Sequence, residues 1–493
     1  VTSIIPSPKL PRNIISILLG HIHVLNKISK LRDVSISMGL FLKNLDYYKE
    51  TNSNTFKLRF VNSSIILSRD KDFYSQIFGA KQDFFVNSTA FKLVFGFYFP
   101  NSVIVVDGEQ WQKIRKILTK AINKTSFELI VPSIINNLDY VLNTKSLDKE
   151  GREHCLANQM STIDMISRIT FDAFHCLVYQ WDPETLKFKP ESSKVLESCN
   201  LILTSIGERL IFPTPKLWRL PTKKNREYEK AKGYLKQFIE RFLAEKQEEL
   251  KSNKEEVLKI KKRSLLQEML LANDMEEDEK GRLSHDELVD QIGSLFFAGF
   301  DTTSSVLSFC LNFLARNPEV QKKIREDLWT SFPKGEEDVI KGGIKAIEDV
   351  TSLNYFIEEV HRLTPLIPVF RDCIKDVEIN GIQIKKGESV FVDNVGIGLK
   401  LDNWNYQMDL DIFRPNRWET FKPAPLEGTL PFGFGGRVCP GKRLATYEIK
   451  SFLAKVLLHH DISLRNPEEK FELTFELGFS IKKGTGDIDF NRI

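Results

Sequence analysis

One of the six cysteines in the chain lies in a segment suited to holding a reactive group. Cys439 belongs to residues 432–441, FGFGGRVCPG, and a helix-forming run follows at 442–458. The peptide dipoles and free N–H groups at a helix N-terminus stabilise a thiolate and lower the pKa of such a cysteine. The glycines allow a tight turn and a close approach of the backbone to a large flat molecule. Arg437 adds a permanent cation that suits a carboxylate or a phosphate.

Iron is the metal that this segment favours. Thiolate sulfur binds iron in haem and iron–sulfur proteins, whereas a zinc site needs further ligands close by. The chain has no CxxC pair, and its cysteines are too few and too irregularly spaced for a disulfide framework. The remaining five cysteines are expected to be inert core residues. They are Cys155, Cys176, Cys199, Cys310 and Cys373.

A second group of candidate residues lies in a long apolar helix predicted from about residue 284 to 316. A capping box starts this helix and an Asn-Pro pair follows it, so its length would be ~45–50 Å at about 1.5 Å per residue. The Thr302 hydroxyl can bond back to a carbonyl and bend the helix, and Asp301 holds an exchangeable proton. Gly299 is expected to remove bulk where a flat cofactor would press on the helix.

Two pairs of residues place charged or hydrogen-bonding groups on one helix face. Glu359 and Arg362 are three residues apart and therefore lie on the same side of their helix. Trp111 and Arg115 are one turn apart, so an indole N–H and a guanidinium can meet the same carboxylate. Each pair taken alone is an ordinary surface feature that contributes little to stability.

The composition excludes several classes of protein. A length of 493 residues allows about three domains or one large enzyme domain. Hydrophobic residues make up 42% and charged residues 28%, which is typical of a globular chain and excludes a mainly disordered, collagen-like or multi-span membrane protein. The formal net charge of +4 indicates no nucleic-acid partner. The apolar stretch at 14–24 is shorter than the roughly 20 residues that a membrane span requires.

Helices are predicted to dominate over a minor sheet, which gives a mainly α fold class with a smaller β region. Helical patterns cover three further segments, at about 111–182, 225–262 and 352–364. Strands are predicted as two hairpins and one late strand, at 56–68, 377–384 and 471–481. We find no linker composition, so one mixed domain over residues 1–493 is favoured over three, with a proline-rich hinge at about 5–12.

The motif at 432–441 resembles in full the haem-binding signature of the cytochrome P-450 family, the haem-thiolate monooxygenases. Four further motifs stand in that family's order and spacing. Residues 111–115 resemble its WxxxR segment, and residues 298–303, AGFDTT, resemble its AGx(D/E)T(T/S) segment. Glu359 with Arg362 resembles the ExxR pair. Residues 413–418, FRPNRW, resemble the PERF or PERW segment, with Asn416 in place of the usual glutamate.

The resemblance implies the family fold, a triangular helical prism around haem b, with the haem between the long helix and the cysteine loop. Cys439 would be the axial ligand of the haem iron and would donate electron density that favours O–O cleavage. Thr302 with Asp301 would deliver protons. Residues implied in binding the cofactor, several of them through its propionates, are Arg437, Trp111, Arg115, Arg371, Phe432, Gly441 and Ala298. A structural lock for folding and haem retention would consist of Glu359, Arg362 and Arg417.

Helical spacing alone suggests Ser294, Leu295, Ala298 and Phe300 as the substrate pocket wall. The loops at 95–99 and 212–218 are candidates for the mouth of an access channel. The implied reaction inserts one oxygen atom from O2 into a lipophilic substrate, such as a fatty acid, a sterol or a xenobiotic. Electrons would come from a separate NADPH-dependent cytochrome P-450 reductase, with cytochrome b5 as a further candidate donor.

The stretch at 6–11 resembles the hinge that follows the N-terminal anchor of eukaryotic microsomal members. We therefore expect an enzyme at the cytosolic face of the endoplasmic-reticulum membrane, with its anchor upstream of Val1. A mitochondrial or a soluble member is the alternative.

Two other classes of function stay open. An isomerase or dehydratase of this family works without a reductase, but such members often lose the acid–threonine pair that Asp301 and Thr302 supply. A non-catalytic haem sensor would leave the same pair unexplained. A sterol 14-demethylase is a narrower alternative, which usually carries His-Thr at this place. The run at 298–308 is more similar to the broad group that hydroxylates fatty acids and xenobiotics.

Overall fold

The computed structural model describes residues 48, 50–59, 64–125, 130–147, 153–211, 215–260, 263–364, 366–400, 412–421, 429–476 and 478–493. The predicted hinge at about 5–12 and the apolar stretch at 14–24 lie outside the described residues. Helices dominate the described part and strands are short. This confirms the mainly α class with a smaller β region.

The helices, numbered here in chain order, are α1 Lys71–Phe78, α2 Thr89–Phe95, α3 Gly108–Lys124, α4 Ile130–Asn143, α5 Thr162–Tyr179, α6 Pro190–Ile211, α7 Pro215–Trp218, α8 Lys223–Ser252, α9 Lys254–Lys259, α10 Leu265–Asp274, α11 His285–Ala298, α12 Phe300–Arg316, α13 Pro318–Ser331, α14 Glu336–Glu348, α15 Thr351–Leu363, α16 Asn394–Gly398, α17 Arg417–Thr420 and α18 Lys442–His459. The strands are β1 Thr55–Arg59, β2 Ser64–Ser68, β3 Phe85–Asn87, β4 Lys145–Leu147, β5 Glu153–Cys155, β6 Val369–Cys373, β7 Val377–Ile379, β8 Ile382–Ile384, β9 Ser389–Val392, β10 His460–Leu464, β11 Leu473–Phe475, β12 Phe479–Ile481 and β13 Ile488–Arg492.

The chain divides into two compact units. The first consists of residues 1–89, 354–439 and 470–482, and the second of residues 90–353, 440–469 and 483–493. The single haem domain over residues 1–493 stays a prediction.

The first unit contains the largest sheet, whose strand order is β1-β2-β9-β6-β3. Strands β1 and β2 pair antiparallel and β2 pairs parallel with β9, which confirms the first predicted hairpin. Strands β7 and β8 form the second one. Asn380 and Gly381 connect them with positive φ angles of 51° and 76°. A tight hairpin turn requires this conformation, and an Asn-Gly pair adopts it readily.

The late strand predicted at 471–481 is wrong in its topology. The structure has two short antiparallel strands there, β11 and β12, instead of one. Alternation of apolar and polar residues is the same on both arms of a hairpin, so the pattern alone did not locate the turn.

The second unit is mostly helical, and two of the segments with a predicted helical pattern contain more than one helix. The segment predicted as helical at 111–182 contains α3, α4 and α5, with the β4–β5 hairpin between the last two. The charged helix predicted at 225–262 ends at Ser252, and α9 follows after Asn253. Charged residues with good helix propensity continue through this boundary, so propensity gave no signal for the break.

The long apolar helix is interrupted at a single residue. Helix α11 has the predicted capping box of Ser284 and Glu287 and ends at Ala298, and α12 begins at Phe300. A Cβ atom on Gly299 would lie 2.0 Å from the Phe174 ring of α5. The expectation that Gly299 clears space for a flat cofactor is therefore wrong, because the space beside it belongs to the packing of α5.

Among the described residues, one segment, Glu279–Arg316, is long and apolar enough to cross a membrane. Its most apolar window is 72% buried inside the protein. A buried core helix satisfies the same criteria, so this segment is weak evidence for a membrane span.

Substituting Gly299→Ala tests the packing of this helix. The added methyl group collides with the Phe174 ring, so we expect a loss of about 1–3 kcal/mol in the free energy of unfolding. The double variant Gly299→Ala/Phe174→Leu should recover part of that loss in denaturant titrations. A variant of full stability would contradict this assignment, as would a defect that the Phe174 substitution leaves unchanged.

Candidate functional site

The segment around Cys439 is a closed loop with an accessible cysteine. The backbone N–H of Cys439 donates to the carbonyl oxygen of Phe432 at 2.8 Å. Gly433 and Gly435 have positive φ angles of 71° and 70°, a conformation that favours glycine. The Cys439 side chain is exposed. Helix α18 begins at Lys442, as predicted, and its N-cap, Gly441, offers no side-chain cap.

Position 435 requires glycine because a backbone atom of another segment lies close to it. A Cβ atom there would lie 2.0 Å from the carbonyl oxygen of Phe78, at the end of α1. The close approach that this glycine permits is therefore to protein backbone, which corrects the expectation of a close approach to a flat molecule for Gly435 alone. A Cβ atom on Gly433 would meet nothing within 4 Å. The ring of Phe432 packs edge-on against His361 of α15, with centroids 5.6 Å apart.

The other cysteines differ from Cys439 in environment. Cys199, Cys310 and Cys373 are buried, and Cys155 and Cys176 are half-buried. Burial raises the pKa of four of these thiols, namely Cys176, Cys199, Cys310 and Cys373. A raised pKa keeps a thiol protonated and unreactive, as predicted for core cysteines.

A buried carboxylate organises the first unit. Glu359 and Arg362 of α15 are both 0% exposed and form a bidentate pair at 2.8 Å. The Arg417 Nε atom donates to the same carboxylate at 2.9 Å. Burial lowers the pKa of the Arg417 guanidinium, and the Glu359 charge opposes that shift. The three residues that resemble the ExxR and PERF motifs are therefore joined in one cluster, as expected.

Two further donors to this carboxylate were not anticipated. The indole N–H of Trp418 donates to Glu359 at 3.0 Å, and the backbone N–H of Arg414 donates to it at 2.8 Å. The sequence did not indicate this role for Trp418, because the side chains of adjacent residues rarely hydrogen-bond to the same group. Asn416, which departs from the family pattern, is exposed and lies outside the cluster.

Helices α11 and α12 are mainly buried between their ends, and the half-buried residues around their junction include a stripe along one face, beside Gly299 and Asp301. Leu295, Ala298 and Thr302, spaced by one and two turns, are partly accessible on helices whose other residues are mainly buried. The Thr302 hydroxyl donates to the carbonyl oxygen of Ala298 at 2.9 Å. This confirms the predicted bond back to the preceding turn.

Two of the predicted pocket residues are not on this stripe. Phe300 is buried and packs edge-on against Phe171 of α5, with centroids 5.1 Å apart. It is five residues from Leu295 and hence about 140° around the helix, which turns by roughly 100° per residue. Ser294 is buried and donates to the Gln291 carbonyl at 3.0 Å. In this structure the Phe300 side chain is engaged in packing and the Ser294 side chain in a local hydrogen bond, and the pocket assignment of both stays a prediction.

The remaining predicted cofactor residues lie on regular elements. Trp111 and Arg115 are half-buried and one turn apart on α3, as predicted. Arg371 lies on β6, between strands β9 and β3, with its guanidinium 5.4 Å from the Phe78 ring. Arg437 is half-buried in the turn Gly435–Arg437 that precedes Cys439.

The two segments predicted to form a channel mouth meet in the second unit. Residues 212–214 lie outside the described residues, but the rings of Phe97 and Trp218 pack edge-on at 5.9 Å. Both rings line an open pocket of ≈ 410 Å³. The buried Arg209 of α6 lies 5.0 Å from the Trp218 ring and donates to the Tyr98 hydroxyl at 2.8 Å. The sequence did not predict that Arg209 is buried beside this pocket, because its neighbours in the chain show no pattern typical of a buried cation.

The buried cluster yields a stability prediction. Glu359→Gln leaves two buried guanidinium groups without their charge partner, so we expect a loss of about 3–5 kcal/mol in unfolding free energy. Trp418→Phe removes one hydrogen bond to a charged group and should cost about 1.5–3 kcal/mol. The control Asn416→Ala, at an exposed position, should stay within about 0.5 kcal/mol. Equal stability of all three variants in urea titrations would contradict the cluster's role.

Comparison with known proteins agrees with this geometry. A family model described as Cytochrome P450 matches residues 31–490. Cytochrome P450 4V2 of Homo sapiens is 30% identical over 278 residues, which are 53% of this chain and 50% of that protein. Putative cytochrome P450 CYP13A5 of Caenorhabditis elegans is 34% identical over 183 residues, which are 36% of this chain and 33% of that protein.

A third relative, desmethyl-deoxy-podophyllotoxin synthase of Sinopodophyllum hexandrum, is 26% identical over 377 residues, which are 73% of this chain and 69% of that protein. The matches to the first two relatives span between a third and a half of their length. The family model, by contrast, covers nearly the whole chain, including the cysteine loop, the buried ion cluster and the helix with the Asp-Thr pair. The chain belongs to the cytochrome P450 family.

Proposed function

We propose that the chain is a haem-thiolate monooxygenase that inserts one oxygen atom from O2 into a lipophilic substrate. The observation that carries the proposal is Cys439, the one exposed cysteine among the described residues, in a loop that its own backbone closes. A structural cysteine would be buried, like Cys199 and Cys310. An exposed sulfur in a shaped loop of this family is suited to an iron ligand.

The residues present fit haem b. One thiol suffices as the protein ligand of a haem iron, and the described residues include no group of histidines, cysteines and carboxylates that forms another metal site. The two propionates need cations and N–H donors, and the half-buried guanidinium and indole groups of this chain have the chemistry to supply them. We assign them to Arg437, Arg371, Arg115 and Trp111. Phe432, Gly441 and Ala298 complete the proposed cofactor contacts.

When bound, the haem supplies the oxygen-activating and electron-transferring chemistry. The chain's own residues hold the substrate and move protons. Leu295 and Ala298 give the accessible stripe an apolar surface that excludes water beside a lipophilic substrate. The proton of the Thr302 hydroxyl is engaged by the Ala298 carbonyl at 2.9 Å, so its lone pairs are open to accept a hydrogen bond from water. Asp301, next in the chain, would supply the proton that Thr302 passes on.

The electron donor, the location and the substrate class belong to the same proposal. A family member of this kind needs a redox partner, for which we propose an NADPH-dependent cytochrome P-450 reductase, with cytochrome b5 as a further donor.

The resemblance of residues 6–11 to a post-anchor hinge supports a location at the cytosolic face of the endoplasmic-reticulum membrane. Fatty acids, sterols and xenobiotics are the substrate classes to screen, by the spectral shift that substrate binding induces in the haem.

The thiolate ligand is tested by spectroscopy. The ferrous–CO complex of the purified holoprotein should show the red-shifted Soret band of a thiolate-ligated haem. Cys439→Ala should abolish that band, whereas Cys199→Ala, at a buried cysteine, should keep it. A histidine-type spectrum in the unaltered protein, or no haem binding, would rule out the proposal.

Proton delivery by Thr302 is tested by measuring coupling, which is the amount of product formed per reductant consumed. Thr302→Ala should leave the CO spectrum intact but lower the product formed per reductant consumed several-fold, with peroxide as the side product. Ser305→Ala is the matched control, since the Ser305 hydroxyl also donates to a carbonyl of the same helix, that of Asp301 at 2.8 Å, but from a buried position off the stripe. Full coupling in Thr302→Ala would exclude the threonine from proton delivery. Rearrangement of a peroxide substrate without a reductase, and with no oxygen atom from O2 entering the product, would favour the isomerase class.

A further inference from the structure

Helix α6 carries a guanidinium group into the interior of the second unit, near the C-terminal end of the helix. Arg209 is 4% exposed. Its Nη1 atom donates to the Tyr98 hydroxyl at 2.8 Å, and that hydroxyl donates to Ser205 at 2.7 Å. The Nη2 atom of Arg209 is buried and has no hydrogen-bond partner in the described part of the chain. A permanently charged group therefore has N–H donors that the protein does not use.

Aromatic rings surround this guanidinium where an acid is normally found. Among the described residues, no carboxylate forms an ion pair with Arg209, and the adjacent Glu208 forms its ion pair with Lys224 instead. The guanidinium carbon lies 4.7 Å from the centroid of the Phe97 ring and 5.0 Å from that of the Trp218 ring. Cation–π contacts stabilise the cation but leave its charge uncompensated. A buried charge without a counter-charge is unfavourable, which makes this site receptive to an anion.

A second cation contacts the same Phe97 ring from α8. The Nζ atom of the half-buried Lys232 lies 3.8 Å from the ring centroid and donates to the Phe97 carbonyl at 2.8 Å. Burial lowers the pKa of Lys232, the charge of Glu229 opposes that shift, and the charges of Arg209 and Lys236 add to it. The two cations at the ring therefore repel each other, and an anion beside the ring would offset that repulsion.

The rings that contact the two cations also form the wall of a pocket. Phe97 and Trp218 line the open pocket of ≈ 410 Å³. Its lining includes the apolar side chains of Leu93 and Val105 and the exposed cation of Arg219. The buried guanidinium is thus within one ring of the pocket, and an apolar wall screens a charge much less than water does. The pocket combines an apolar surface with a positive potential.

We propose that this pocket receives the carboxylate of a lipophilic acid, and that Arg209 and Lys232 select such acids over neutral molecules of the same chain length. The role of the acid as a substrate rests on the proposed monooxygenase function. The apolar lining suits the hydrocarbon part of the ligand, and its single negative charge compensates the buried cation. Arg209 acts through its charge across the ring wall, so it is a specificity-determining residue with no part in proton or electron transfer.

The first arm of the test compares dodecanoic acid with 1-dodecanol by isothermal titration calorimetry of the holoprotein. At about pH 8 the acid is ionised, because the pKa of a carboxyl group in water is about 4. Removal from water costs a carboxylate more than a hydroxyl, so a site without positive charge would prefer the alcohol. We expect the acid to bind about tenfold more tightly. Equal affinities, or tighter binding of the alcohol, would overturn the inference.

The second arm assigns the preference to the two cations. Arg209→Gln and Lys232→Gln should each weaken binding of the acid several-fold and leave binding of the alcohol unchanged. Arg209→Lys keeps the charge and should retain most of the preference. Lys236→Gln is the matched control, since Lys236 is an exposed cation one turn along α8 that pairs with Glu240 at 3.7 Å. A preference for the acid that survives in both Gln variants would contradict the assignment.

Two features of this design keep its outcomes distinct. Lys232 is half-buried, so Lys232→Gln decides the assignment even where the buried Arg209→Gln variant does not fold. Calorimetry does not depend on the haem spectrum. A missing thiolate CO band with an intact preference for the acid would overturn the proposed function and leave the anion site standing. A normal CO band with no preference for the acid would overturn this inference alone.

Discussion

A single buried carboxylate holds the first unit together. Glu359 accepts five N–H donors, which come from Arg362, Arg417, Trp418 and the backbone of Arg414. Taking these charges out of water costs several kcal/mol per ion, so the cluster is favourable only where the opposite charges are paired. The two guanidinium groups also bind carbonyl oxygens of Gly398 and Ile412. Helix α15 is thereby tied to two segments that lie far from it in sequence and precede the cysteine loop.

In the second unit, buried hydroxyl groups also need hydrogen-bond partners. Helix α12 is apolar in its packing, yet its serines and Thr303 are buried, and Thr302 is half-buried. Their hydroxyls donate to carbonyls three or four residues back, as Thr302, Thr303 and Ser305 do. Such bonds satisfy the side chain without a partner from another element and loosen the helix locally. Glu448 of α18 is the exception, since it has no such local solution. Burial raises the pKa of this carboxyl well above its usual value.

Cys439 and the stripe on α11 and α12 differ in accessibility from the residues of the same types or helices around them. Cys439 is exposed while the thiols of Cys199 and Cys310 are buried and have raised pKa values. Leu295, Ala298 and Thr302 are accessible on helices that are otherwise packed. In each case the accessible group is one for which we propose contact with a cofactor or a substrate. Phe300, by contrast, is buried and packs against the aromatic ring of Phe171.

The sequence by itself determined the local features. The cysteine loop, the Ser284 capping box, the Asn-Gly hairpin and the Thr302 back-bond depend on residues at most ten apart, so their signals survive in the primary structure. Tertiary structure decided what each side chain faces. The contacts of Trp418 and Arg209, the space beside Gly299 and the burial of Glu448 and Phe300 are set by neighbours tens to hundreds of residues away. Periodicity places a residue on a face, but the free energy of burial depends on which other element covers that face.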